Sequence, residues 1–183
     1  MNPKALIDLH CDTLTDCRPT PAGNPDTLDD PERVLSLSAM PEDVHWAQFY
    51  AVFIPDEYRG QAAIDYFEQN RENFFRQMKK FSQRAAPCRT YADMKRAWAG
   101  NQTAAFLTIE NGSALAGDLS RVQVLADQGV RAVTLVWNGE NEIGSGHTTD
   151  HGLFGFGKAV IPELERCGIL VDVSHLNDPG FYD

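Results

Sequence analysis

Ala5-Leu6-Ile7-Asp8-Leu9-His10-Cys11-Asp12-Thr13-Leu14 is a short apolar strand that ends on an imidazole and a carboxylate, and no glycine stands in the turn that follows. A parallel sheet that binds a nucleotide needs a glycine-rich turn at that point, because only glycine lets backbone amides approach a pyrophosphate. The other common parallel architecture, the (β/α)8 barrel, makes no such demand. It gathers its chemistry at the C-terminal ends of its strands. The stretch therefore predicts a barrel whose working rim begins at His10 and Asp12.

The rest of the chain continues in the same rhythm. Apolar runs predict further strands over 47–54, 104–109, 130–136 and 169–173. Between them lie stretches of helical spacing over 61–83, 91–99, 119–127 and 158–167. The first carries Ile64, Phe67, Phe74, Phe75, Met78 and Phe81 on one face, a stripe that reads as core packing. Gly100, Gly129 and Gly168 stand where the other three helices should stop. Residues 19–31, rich in Pro, Gly, Asn and Asp, predict a long loop, and 139–157 a glycine-rich one. Strands separated by helices imply βα units, and near-continuous apolar strands imply a sheet covered on both faces. The expected fold is α/β, of the TIM-barrel type. A full barrel takes roughly 250 residues. The 183 residues are thus expected to be the N-terminal portion of a single barrel domain, about its first five βα units.

Composition narrows the function. The chain has 16 basic and 26 acidic residues, a formal charge of −10. Such a surface repels phosphate backbones, and the densest basic run, Met78-Lys79-Lys80, sits inside a helix, so nucleic-acid binding is not expected. No apolar run approaches the roughly 18 residues of a membrane span. The first residues show no signal-peptide pattern. Cys11, Cys17, Cys88 and Cys167 show no metal or redox spacing, which suits reduced thiols and a cytoplasmic location.

Ionisable residues stand where strands end. His10 and Asp12 close the first strand, Glu110 the third and His175 the fifth. In a strand the side-chain period of two puts His10 and Asp12 on one face. Imidazole and carboxylate together suit a borderline divalent ion such as zinc. Each residue alone has a plainer reading as a solvated loop or helix-start group. Their coincidence at three strand ends favours a metal site. His147 and His151 are four apart, but Gly144 and Gly146 argue against the helix that would align them, so they read as solvated loop residues. His45 precedes the second strand, at the opposite mouth, and takes no role. Ser113 and Ser174 have no nearby base pattern for a nucleophile.

Three segments together resemble one family. Ile7-Asp8-Leu9-His10-Cys11-Asp12-Thr13-Leu14, Ile109-Glu110-Asn111-Gly112 and Leu170-Val171-Asp172-Val173-Ser174-His175 are similar to signatures of the membrane (renal-type) dipeptidases, a metallopeptidase branch of the amidohydrolase superfamily. Thr134-Leu135-Val136-Trp137-Asn138 and His151-Gly152-Leu153-Phe154-Gly155-Phe156-Gly157 also match in order and position. The resemblance implies a (β/α)8 fold and two zinc ions. It implies His10 and Asp12 as ligands of one ion, Glu110 as the bridging carboxylate and His175 as a ligand of the other. The family's remaining histidine ligand, acid/base aspartate and substrate-binding arginine would fall beyond residue 183. The isolated chain is therefore expected to bind metal weakly and turn over little.

The resemblance further implies hydrolysis of small dipeptides by a hydroxide shared between the ions, whose pKa metal coordination lowers to about 7. Asp8 and Asp172 are candidates to orient the histidines. Trp137 departs from the family, in which better-known relatives carry a substrate-contacting histidine, and it is assigned no role. Two alternatives remain. One is another amidohydrolase acting on lactones, cyclic amides or phosphotriesters, against which Asp12 and Glu110 speak. The other is a non-catalytic product whose open sheet edge pairs with a second chain, as a homo-oligomer would allow.

Overall fold

A computed structural model describes residues 4–17, 27–33, 35–41 and 43–183. Most of the loop expected over 19–31 lies outside the described residues, and 27–31 form turns. The element order is β1 (Lys4–Cys11), α1 (Thr13–Asp16), β2 (Val44–Phe53), α2 (Gly60–Lys80), β3 (Ala85–Cys88), α3 (Tyr91–Ala99), β4 (Thr103–Glu110), α4 (Ser120–Gln128), β5 (Val130–Thr134), α5 (Gly155–Arg166), β6 (Leu170–Asp172) and α6 (Asp178–Tyr182). Strand–helix alternation and parallel pairing place the chain in the α/β class. Residues fall into two compact units, Met1–Val52 with Asn70–Leu107 and Phe53–Gln69 with Thr108–Asp183. The chain passes from one to the other within β2, α2 and β4.

In the first unit β1 pairs with β2 from Lys4↔Val44 to Asp8↔Gln48 and resumes at Cys11↔Tyr50. Three residues of β1 advance against two of β2, so one extra residue bulges between Asp8 and Cys11. Leu14, Leu28, Tyr50, Phe74 and Leu107 are fully buried here. Polar residues on the buried face of α2 tie down the chain after β1. Asn73 Nδ2 donates to the carbonyls of Leu14 and Cys17 at 3.4 and 3.3 Å, and Gln77 Oε1 accepts the Leu28 N–H at 3.3 Å. Thr90 and Asp93 form a reciprocal capping box that starts α3, worth about 1 kcal/mol, and Gly100 ends the helix as its spacing predicts.

Strand β3 is a sixth strand where five were expected. It pairs with the first half of β4, from Ala85↔Thr103 to Cys88↔Phe106. Its sequence, Ala-Ala-Pro-Cys, has no β-branched residue and carries a proline that cannot donate to a ladder. Tertiary pairing with β4 overrides both local signals.

In the second unit β5 pairs with β6 from Ala132↔Leu170 to Thr134↔Asp172, with α4 and α5 packed against them. Ile54, Phe67, Ile109, Leu115, Leu125, Leu135 and Ile143 are fully buried. Gly129, at φ 105°, ends α4 in the left-handed conformation that glycine adopts without strain.

The expectation of a doubly covered sheet holds for β4, whose eight residues are all buried. It fails for β1 and β6. Leu6, Ile7 and Leu9 are 40, 51 and 62% exposed, and Leu170 is 59% exposed. Among the described residues each of these strands pairs with one other strand. Among the described residues no helix is long and apolar enough to cross a membrane, and the four cysteines are free thiols.

Candidate metal centre

The four residues expected as ligands form two imidazole–carboxylate pairs, one in each unit. In the first, His10 Nε2 lies 3.3 Å from Asp12 Oδ1. The strict alternation of a strand does not produce this. The bulge breaks the pleat between Asp8 and Cys11, and Asp12 lies outside β1 as the N-cap residue of α1, with φ −91° and ψ 0°. The turn from strand into helix brings the two side chains to the same place. Asp8 acts on this turn through the backbone, where its Oδ1 accepts the His10 N–H at 3.2 Å. Both His10 and Asp12 are exposed.

In the second unit His175 Nε2 lies 3.1 Å from Glu110 Oε1. Glu110 is 6% exposed, the last residue of a fully buried strand. His175 sits in the turn after β6 with φ 68°, which strains a non-glycine backbone. Asp172 sets up that turn. Its Oδ1 accepts the Ser174 N–H at 2.9 Å, and its Oδ2 accepts the Thr134 hydroxyl at 2.7 Å.

The donor chemistry fits a divalent metal. A tetrahedral ion bonded at about 2.05 Å separates neighbouring donors by roughly 3.3 Å. The two pairs, at 3.3 and 3.1 Å, already stand at that separation. Carboxylate with imidazole is also the mixed donor set that borderline ions prefer.

The residues assigned no role behave variously. His45 stacks on Trp98 with centroids 5.3 Å apart. Trp137 packs edge-on against Phe53 at 4.8 Å. Ser113 is buried and gives its hydroxyl proton to Asn111 Oδ1 at 2.7 Å, a structural use. His147 is exposed, as expected, but its ring lies 6.3 Å from that of His175, beside the second pair. No sequence signal links His147 to His175. Asn111, by contrast, stands in an Asn-Gly dipeptide, a turn signal that could have marked it.

His151 is exposed, as expected, but paired. Its Nδ1 lies 2.5 Å from Glu140 Oε1, which also accepts the Ser145 hydroxyl at 3.0 Å. The Glu140 hydrogen bond raises the His151 pKa above its ordinary 6.5, and the same bond lowers Glu140 below 4.5. A raised histidine contributes stability below its unfolded pKa and loses it as pH rises through the folded value. A lowered glutamate contributes above its unfolded pKa and loses it as pH falls through the folded value. The pair is thus fully charged in the window between the two shifted values. Proton NMR should show His151 titrating above 6.5, and Glu140→Gln should return it to the ordinary range. An unchanged midpoint in that variant would remove the pairing.

The profile of the membrane dipeptidase family, peptidase family M19, matches residues 1–183. Among solved structures, that of dipeptidase AC, a metallopeptidase of family M19, superposes with a TM-score of 0.86 at 22% identity over 99% of this chain and 59% of its own. A metallopeptidase from Rhodobacter sphaeroides, liganded with a phosphinate mimic of the dipeptide L-Ala-D-Ala, gives 0.86 at 22% identity over 99% and 61%. An amidohydrolase from Pseudomonas aeruginosa gives 0.67 at 25% identity over 76% and 41%. The chain therefore spans between 41 and 61% of the length of these structures. At these identities the likeness to the two metallopeptidases is one of fold, a partial TIM barrel.

Proposed function

The chain belongs to the membrane dipeptidase family, and from that premise we propose that the protein carrying it hydrolyses the amide bond of small dipeptides with zinc bound at His10, Asp12, Glu110 and His175. The observation that carries the reading is the Glu110–His175 contact, a buried carboxylate set at ligand-sharing distance from an imidazole on a strained backbone. Buried carboxylates and strained residues are costly, and they concentrate where function requires them. Dipeptides as the substrate class are supported by the dipeptide mimic bound to the Rhodobacter sphaeroides protein.

Bound divalent metal supplies an activated water near neutral pH and polarises the scissile carbonyl. The residues of this chain supply its placement. His10 and Asp12 are delivered as a pair by the turn from β1 into α1. Glu110 is delivered by the end of β4, where its own carbonyl accepts the Ile54 N–H at 3.0 Å. Such fixed donors need no reorganisation during reaction, which is how preorganised polar groups lower a barrier.

The test is a substrate panel with the intact protein: L-Ala-L-Ala and L-Ala-D-Ala against a lactone, a cyclic amide and a phosphotriester. The expected result is dipeptide hydrolysis that a chelator abolishes and zinc restores. Turnover confined to the lactone, cyclic amide or phosphotriester would replace this reading with another amidohydrolase activity.

A further inference from the structure

The end of β4 carries a polar hub beside the second pair. Asn111 follows Glu110, is fully buried and holds φ at 73° and ψ at 102°, outside the ordinary range of an L-residue. Its side-chain amide makes five hydrogen bonds. Nδ2 donates to the Ile54 carbonyl at 2.8 Å and to Asp56 Oδ1 at 3.2 Å. Oδ1 accepts from the Ser113 N–H at 3.3 Å, the Ser113 hydroxyl at 2.7 Å and Asn141 Nδ2 at 2.9 Å.

The partners extend the hub to both sides of the pair. Asn141 Nδ2 also donates to the Leu135 carbonyl at 2.7 Å, where the chain leaves β5. Asn141 Oδ1 accepts the N–H groups of Ile143 and Gly144, which shapes the turn at 141–144. Asp56 Oδ2 accepts the Gly139 N–H at 2.8 Å at the start of the same loop. Further along the same loop, Gly146 bridges Leu176, the residue after His175. One buried amide thus joins the exit of Glu110 to the segment that carries His175.

Neither glycine nor aspartate reproduces this. Glycine takes the positive φ freely but makes none of the five bonds. Aspartate keeps the shape but loses both donors, and sets a carboxylate against the Ile54 carbonyl and the Asp56 carboxylate. We propose that Asn111 is a positioning residue for the Glu110–His175 metal pair, holding the Glu110 carboxylate at ligand-sharing distance from His175. The inference rests on the metal-hydrolase reading above.

The experiment uses Co2+ as the probe with the intact protein, reading affinity by competition with a chromophoric chelator and geometry by the visible absorption of bound Co2+. Asn111→Gly should weaken Co2+ binding about 10- to 100-fold, the usual effect of losing a group that orients ligands, and should change the absorption band. In a His175→Ala background the same substitution should cost less than about twofold further, because both changes strike one ion. Asn111→Asp, which keeps the packing volume, should also weaken binding and serves if the glycine variant does not fold. Parent-like affinity in both variants overturns the inference, as does a full, undiminished loss in the His175→Ala background. A parent protein that binds no Co2+ removes the metal reading and this inference together, a result distinct from either.

Discussion

Glu110→Gln is expected to lower metal affinity by about two orders of magnitude or more and to abolish measurable dipeptide turnover, while leaving the metal-free protein about as stable as its parent. The first part follows from the role proposed for the carboxylate, that of a charged ligand. Loss of groups that merely orient ligands already costs 10- to 100-fold in affinity. The second part separates function from scaffolding. Glu110 is 6% exposed, and a buried carboxylate is costly to desolvate. Glutamine has the same shape, and its side-chain oxygen can still accept a hydrogen bond from His175 Nε2. Removing the charge therefore takes away a desolvation cost without opening a cavity or orphaning the imidazole. Metal content by elemental analysis and a thermal melt in chelator decide the matter together. Strong destabilisation of the metal-free variant with metal content unchanged would make Glu110 a structural residue and remove it from the site.

The contrast between the two pairs shows what a sequence can convey. His10, Asp12, Glu110 and His175 could be singled out because strand ends are readable from apolar runs, and metal-type residues coincide at three of them. The pairing geometry within each unit was not readable for the stated reason. Period two predicts His10 and Asp12 on one face of a regular strand, yet the strand bulges and Asp12 caps a helix. A bulge depends on which residue of β2 each residue of β1 meets, and that register is a tertiary property. The same limit hid β3, which exists only because β4 offers it a ladder. It also hid the exposure of β1. Leu6, Ile7 and Leu9 look like core residues by type, and only the neighbours of a strand decide whether they are. Helices were more legible. The 91–99 expectation matches α3 residue for residue, because a capping box and a terminal glycine are local signals.

Asn111 and Asn141 mark the boundary of what residue type alone conveys. Asparagine after a strand reads as a turn former, and both residues do form turns. That the two amides meet at 2.9 Å joins residues thirty apart, and no local pattern encodes it.

The loop that carries this connection makes the last large effect. Gly146→Ala is expected to destabilise the protein by about 2–4 kcal/mol, the range of severe overpacking, and to lower its melting temperature by roughly 5–12 °C. A Cβ at Gly146 would stand 2.0 Å from the Trp137 carbonyl oxygen and 2.5 Å from that of Asn138. Both obstacles are backbone, so neither can turn aside as a flexible side chain could. Relief requires the loop to part from the chain leaving β5, and the Gly146 N–H bond to the Gly139 carbonyl, 2.8 Å, would be lost with it. Because Gly146 bridges Leu176, the displacement reaches the turn that holds His175. Metal affinity should therefore fall along with stability. Gly155→Ala is the matched control. It lies at the start of α5, a Cβ there meets nothing within 4 Å, and alanine suits a helix better than glycine. That variant should melt at or slightly above the parent temperature with metal affinity intact. If both alanine variants melt like the parent, the close passage of the loop against the chain leaving β5 is wrong, and with it the route by which that loop steadies His175.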